Sequence, residues 1–155
     1  MNARPLLARV AAALRAVRLD AILIGNGAAA LRGAPVTTLD LDFFFRDTPT
    51  NRRKLKALAQ RLDGTLLRPY YPVSGLFRLM SNSDSWQLDF LPAAYGIRSF
   101  EALRSRASVV MLDGDAVVVS SLKDVIRSKR AANRPRDRAV LPVLEETLRA
   151  LEEEK

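Results

Sequence analysis

The stretch Leu39-Asp40-Leu41-Asp42-Phe43-Phe44-Phe45 constrains this chain more than any other. Its apolar residues read as a buried strand, yet two carboxylates alternate with them. Alternate residues of a strand share a face, so Asp40 and Asp42 stand side by side, about 7 Å apart at their Cα atoms. Like charges in such a setting repel, and partial burial raises their pKa unless a cation neutralises them. A magnesium ion, or two ions about 3.5–4 Å apart, would resolve the conflict. Acids that reach water at a strand end, or that pair with the chain's many arginines, would resolve it too. Spacing alone does not decide. Asp113-Gly114-Asp115 repeats the pattern, but it lies between β-branched runs at a glycine tip and reads as a hairpin turn.

Two further segments sharpen the reading. Ala21–Ile24 is a short apolar run stopped by Gly25, and Gly25-Asn26-Gly27 leads into an alanine-rich helix over Gly27–Arg32. Backbone N–H groups in such a turn can approach a phosphate, and a helix N-terminus favours the negative charge. An ordinary strand-to-helix connection has the same composition. Trp86-Gln87-Leu88-Asp89-Phe90-Leu91 is a second strand with an embedded acid, Asp89 sharing a face with Gln87. If the two strands are neighbours, Asp40, Asp42 and Asp89 converge.

The residue types that are missing restrict the chemistry. The chain has no cysteine and no histidine. That excludes a disulfide framework, a thiolate nucleophile, a Cys/His zinc site and any imidazole triad. Carboxylate, lysine, arginine, hydroxyl and backbone N–H remain, and a bound metal would be a hard, oxygen-loving cation. Lys and Arg number 25 against 17 Asp and Glu, a net charge of +8. The last eleven residues hold five acids and two bases, so residues 1–144 carry +11. A basic body implies a polyanionic partner such as nucleic acid or nucleotide phosphate, or else a set of solvated arginine-rich faces. The run Arg52, Arg53, Lys54, Lys56 and Arg61 reads as such a wet face. No segment approaches the roughly 18 apolar residues of a membrane span. Arg9, Arg15 and Arg18 interrupt any signal-peptide core, so no membrane partner and a cytoplasmic location are expected.

At 155 residues the length fits one domain, residues 1–155. Met1–Leu19 carries apolar residues at helical spacing, and Thr48-Pro49 opens a helix to about Leu62. Leu76–Met80 and Trp86–Leu91 form one hairpin, and Ser108–Leu112 and Ala116–Val119 a second. Phe100–Arg106 is a short helix. Ser120 or Ser121 caps a helix through Ala132, and Pro135 opens the last one. The sum is an α/β or α+β fold with a mixed central sheet of five or six strands flanked by helices. Residues 120–155 form a C-terminal helical segment packed on the core. The loop Arg68-Pro69-Tyr70-Tyr71-Pro72 would either stack on a base or plug the sheet edge, with packing the expected role.

The ordered set Gly25, Asp40-x-Asp42 and Asp89 resembles the DNA polymerase β-like nucleotidyltransferase superfamily, in its small bacterial AbiEii-like and minimal nucleotidyltransferase form. Leu122-Lys123-Asp124-Val125-Ile126-Arg127-Ser128-Lys129-Arg130 and Arg136-Asp137 look like the lysine helix and Arg-Asp pair of the abortive-infection group. The pattern departs at Asn26, which separates two glycines usually adjacent, and at Val140, where another acid is frequent. The resemblance implies a nucleotidyltransferase fold and transfer of a nucleoside monophosphate from a nucleoside triphosphate to a hydroxyl of RNA, such as a tRNA end, or of protein. It implies Asp40, Asp42 and Asp89 as catalytic carboxylates and ligands of a two-magnesium site, with manganese as substitute. It implies Gly25, Asn26, Gly27, Lys129 and Arg136 as phosphate contacts. A cognate antitoxin of a toxin–antitoxin pair, or a second copy of the chain, would be the partner. The alternative is a catalytically inactive protein of the same fold that binds nucleic acid or a partner protein. Its RNA affinity would be strongly salt-dependent and indifferent to the three aspartates. A nucleotide-sugar transferase using Asp-x-Asp leaves Gly25 and Asp89 unexplained.

Overall fold

A computed structural model describes residues 4–38 and 40–154. Met1–Ala3, Leu39 and Lys155, which belong to the expected first helix, first acidic strand and acidic tail, lie outside the described residues. The elements in order are α1 (Arg4–Val17), β1 (Ile22–Ile24), α2 (Gly25–Leu31), β2 (Asp40–Phe44), α3 (Pro49–Arg61), β3 (Gly64–Leu67), β4 (Phe77–Ser81), β5 (Gln87–Leu91), α4 (Phe100–Arg106), β6 (Ser108–Leu112), β7 (Asp115–Val119), α5 (Leu122–Ala132) and α6 (Pro135–Glu153).

Local chemistry sets most of these boundaries. Thr48 caps α3 by accepting from the Asn51 N–H at 3.1 Å, and Pro49 fills the first turn, where its missing N–H costs nothing. Ser121 caps α5 by accepting from the Asp124 N–H at 3.1 Å, and left-handed Asn133 ends that helix. Asp113 and Gly114 turn the β6–β7 hairpin with φ of 52° and 86°, so this acidic pair is a turn. Asp115 pairs with Arg15 of α1 at 2.8 Å.

The strands form one mixed sheet in the order β3-β4-β5-β2-β1-β7-β6. β2 pairs parallel with β5 and β1 with β7, and the other neighbours are antiparallel. The α+β class and the mixed sheet agree with expectation, but there are seven strands instead of five or six. The unexpected strand is β3. Its four residues begin at Gly64 of the Asp63-Gly64 helix stop, and its half-exposed edge position gives no apolar run to detect.

The two faces of the sheet differ, and the difference places the site. Leu23, Leu41, Phe43, Leu79, Leu88 and Phe90 point to a large core that they share with buried residues of α1, α2, α3, α5 and α6. Phe43 and Phe90 stack there with ring centroids 5.3 Å apart. Each such fully buried side chain stabilises the fold by about 1.5–3 kcal/mol. On the opposite face, Ile22 and Phe44 pack with Phe100 and Leu103 of α4 in a small cluster. By the two-residue alternation of a strand, Asp40, Asp42, Gln87 and Asp89 share this thinly covered face. Carboxylates on β2 and β5 are compatible with a buried sheet because α1, α2, α3, α5 and α6 bury its other side.

Candidate active site

The registers assemble the site. Asp42 lies beside Asp89 across the parallel β2–β5 pair, and Asp40 beside Gln87. Arg78 lies opposite Asp89 across β4–β5, and Ile24 opposite Asp42 across β1–β2. One transverse row thus reads Ile24, Asp42, Asp89, Arg78. It floors a cleft of about 860 Å³ whose lining includes Gly25, Asn26, Asp40, Asp42, Asp89, Lys129 and Arg136. Gly27 stands apart from these. It is buried, and a Cβ there would meet Leu41 Cδ2 at 3.1 Å and Leu23 Cδ1 at 3.2 Å, so its bareness lets α2 pack on the sheet.

The turn and the acid are built together. Gly25 has φ of +63°, and a Cβ on it would stand 3.2 Å from Asp42 Oδ2. The backbone therefore reaches the carboxylate because no side chain intervenes. A Gly25→Ala protein should lose about 1–2 kcal/mol from the left-handed backbone alone, measured by urea unfolding, and its alanine methyl should displace Asp42. Asn26 Oδ1 beside it is buried with no hydrogen-bond partner among the described residues.

Electrostatics mark Asp42 as the strained member. Burial pushes its carboxyl up to about 6, and the neighbouring Asp89 and Asp40 push the same way, while Lys129 and Arg136 pull against them. Asp40 is exposed at the cleft mouth. An ionised Asp42 on this face calls for a cation.

α5 and the start of α6 supply the basic wall. Burial lowers the Lys129 ammonium below the usual lysine range, with Asp137 and Asp42 pulling it back up. The Lys129 side chain is only 15% exposed and lies 3.8 Å from Asp137 Oδ1. Asp137 is wholly buried, and its Oδ2 accepts from the Arg134 N–H at 3.0 Å and from Arg134 Nε at 2.6 Å. Burial pushes the Asp137 carboxyl up, but these bonds and the Arg134 and Lys129 charges outweigh it and hold it below the usual range. The Arg136-Asp137 pair of the sequence thus splits its tasks. Both line the cleft, and Asp137 also caps α6 and tethers Lys129.

Arg78 is the residue that sequence reading missed. Its Nε and Nη2 donate to the two carboxylate oxygens of Asp89 at 2.9 and 3.2 Å. The signal was present, because pairing Met80 with Gln87 at the base of the hairpin forces Arg78 opposite Asp89. Tyr70 and Tyr71 stand 52% and 62% exposed, not plugged under the sheet edge as expected. Arg68 covers the Tyr71 ring at 4.1 Å, and Tyr70 lines the cleft. The basic residues of α3 lie outside the cleft, where Arg52 pairs with Asp47 at 2.6 Å.

Asp40 and Asp42 fit a magnesium ion, since that ion is commonly held by one or two carboxylates with substrate phosphates completing its shell. Among the described residues no three acids stand close enough to hold one ion, and Asp89 is committed to Arg78.

No known family model matches the sequence, and no curated protein sequence matches it. Solved structures do. The chain is similar to the antibiotic-resistance factor ANT(2″)-Ia in complex with adenylyl-2″-tobramycin, with 20% identity, a TM-score of 0.64, and coverage of 96% of this chain and 90% of that one. It is similar to a candidate nucleotidyltransferase of Thermotoga maritima, with 16% identity, a TM-score of 0.63, and coverage of 97% and 92%. It is also similar to the lincosamide antibiotic adenylyltransferase LnuA bound to lincomycin, with 10% identity, a TM-score of 0.59, and coverage of 86% and 90%. The chain has the nucleotidyltransferase fold. Among the described residues no helix is long and apolar enough to cross a membrane.

Proposed function

We propose that this chain is a metal-dependent nucleotidyltransferase that moves a nucleoside monophosphate from a nucleoside triphosphate to a hydroxyl of RNA. The observation that carries the reading is the convergence of Gly25, Asp40, Asp42, Asp89 and Lys129 in one cleft from four separate elements. A packing role explains neither Asp40 nor Asp42 on that sheet face. Magnesium held by Asp40 and Asp42 would offset the phosphate charge and draw electron density from the α-phosphorus. Lys129 and Arg136 line the same cleft within electrostatic reach of Asp42 and would hold the outer phosphates. The turn at Gly25 would offer backbone N–H groups, and the acceptor would lie beside the Asp89–Arg78 pair. A bond forms from the acceptor oxygen to the α-phosphorus, the bond to pyrophosphate breaks in line, and the hydroxyl proton leaves to solvent.

RNA is favoured as acceptor by the net charge of +11 over residues 1–144. The abortive-infection subtype rests on the α5 motif and Arg136-Asp137, and would add a cognate antitoxin as partner. ANT(2″)-Ia and LnuA have been seen with adenylyl-2″-tobramycin and lincomycin, so small hydroxyl compounds form the natural comparison arm. The test incubates the protein with α-labelled nucleoside triphosphates and magnesium, in parallel with total RNA, lysate protein, and tobramycin or lincomycin. Label should enter RNA and disappear with Asp40→Ala and Asp42→Ala. Label confined to protein or antibiotic would reassign the acceptor, and transfer unchanged in both variants would overturn the mechanism. Salt-dependent RNA binding without transfer, equal in wild type and variants, would favour the non-catalytic alternative.

A further inference from the structure

We infer that Arg78 stands in the place of a second metal ion, so that the site takes one divalent cation per nucleotide, on Asp40 and Asp42. This inference rests on the nucleotidyltransferase reading and deepens it.

A carboxylate that helps to hold an ion must turn at least one oxygen toward it. Both Asp89 oxygens are already engaged, by Arg78 Nε at 2.9 Å and Nη2 at 3.2 Å. Gln87 Nε2 approaches the same two oxygens at 3.5 and 3.4 Å. A fork-to-fork guanidinium–carboxylate pair is geometrically specific, unlike a point contact from lysine. The pair is also sheltered, with the two side chains 21% and 14% exposed, so solvent screens it less than a surface pair.

The backbone fixes the arrangement. Arg78 and Asp89 are direct cross-strand partners, and Asp89 and Asp42 are direct partners on the next pair of strands. The guanidinium therefore enters the acidic row from the side opposite Gly25 without any loop having to move. Tyr70 backs it, with the ring centroid 5.6 Å from the guanidinium carbon. Arg78 neutralises Asp89, leaving Asp40 and Asp42 as the carboxylates of that face not forked by a guanidinium. A second divalent ion bridging Asp42 and Asp89 would have to displace a guanidinium or sit against its positive charge. Arg78 is then a positioning residue that keeps Asp89 oriented at the acceptor side and supplies fixed positive charge there.

The test counts manganese bound by the intact protein in the presence of each of the four α,β-methylene nucleoside triphosphates, by electron paramagnetic resonance titration. Wild type should bind one ion per bound nucleotide. Arg78→Met, which keeps an unbranched side chain without the charge, should bind two. Two ions per nucleotide in wild type would overturn the inference while leaving the nucleotidyltransferase reading in place. No ion and no nucleotide bound would overturn both. One ion in both wild type and folded Arg78→Met would overturn the role of Arg78, and two ions in wild type overturn the inference even where that variant fails to fold.

Discussion

Replacing Asp42 with asparagine is expected to abolish transfer while making the metal-free protein more stable. Activity should fall on the order of 10³-fold, the effect typical of removing one preorganised electrostatic contact to a transition state. Stability moves the other way. Burial holds the Asp42 carboxyl at about 6 in the fold, against an ordinary value of 3.8. A folded pKa above the unfolded one means that ionised Asp42 opposes folding. The penalty is absent below about pH 4, grows between the two values and is complete above about pH 6. The asparagine keeps the shape but retains a polar group to desolvate, so the net gain should be about 1–2 kcal/mol. For a domain of this length that is a rise in Tm of roughly 3–6 °C at pH 7.5. The gain should vanish below about pH 4. Magnesium with nucleotide should raise the Tm of wild type and leave the variant unmoved. A variant destabilised at neutral pH in the absence of metal would contradict the assignment of Asp42 as a strained carboxylate.

Asp137→Ala carries the second large effect, and it separates tethering from contact. Asp137 is wholly buried and accepts from Arg134 through its backbone N–H and its side chain, with Lys129 at 3.8 Å. Removing it leaves two cations without their partner, a change of about 3–5 kcal/mol for a buried pair. The loss in Tm should be roughly 9–15 °C. Asp137 is held below its usual range, so its contribution is present above the unfolded carboxylate value and disappears as pH falls through the folded one. The difference between variant and wild type should therefore shrink in acid. Below its melting range the variant should show KM for the nucleoside triphosphate raised about 10–100-fold, as for other positioning contacts. Lys129→Ala should raise KM similarly but with a much smaller change in Tm. An unchanged KM in Asp137→Ala beside a raised KM in Lys129→Ala would mean that Asp137 does not act through Lys129.

The acids were legible in the sequence because they break a rule: Asp40, Asp42 and Asp89 each interrupt an apolar strand, and period-two alternation says which residues share their face. Helix ends were legible for a similar reason, since Thr48-Pro49 and Ser121 carry capping chemistry in their side chains. What the sequence left open was lateral order. Nothing local to β2 or β5 states that they are neighbours, and that parallel pairing alone brings Asp42 to Asp89. β3 escaped because a four-residue edge strand needs little apolar character. Arg78 escaped differently. It looks like one more arginine in a chain rich in them, and its meaning appears only when the β4–β5 register sets it against Asp89. The tyrosine loop was misjudged because aromatic residues usually pack, whereas Tyr70 stands beside Arg78 in the cleft and Tyr71 stands exposed under Arg68.

The central claim is that the cleft cleaves a nucleoside triphosphate between its α- and β-phosphates and keeps the nucleotide on an acceptor. It is tested most directly with two preparations of the same triphosphate, one labelled at the α-phosphorus and one at the γ-phosphorus, supplied with magnesium and total RNA. The α-label should appear on RNA and the γ-label in free pyrophosphate, both lost in Asp40→Asn and Asp42→Asn. Appearance of the γ-label on the acceptor, or release of either label at equal rates in wild type and both variants, would contradict it.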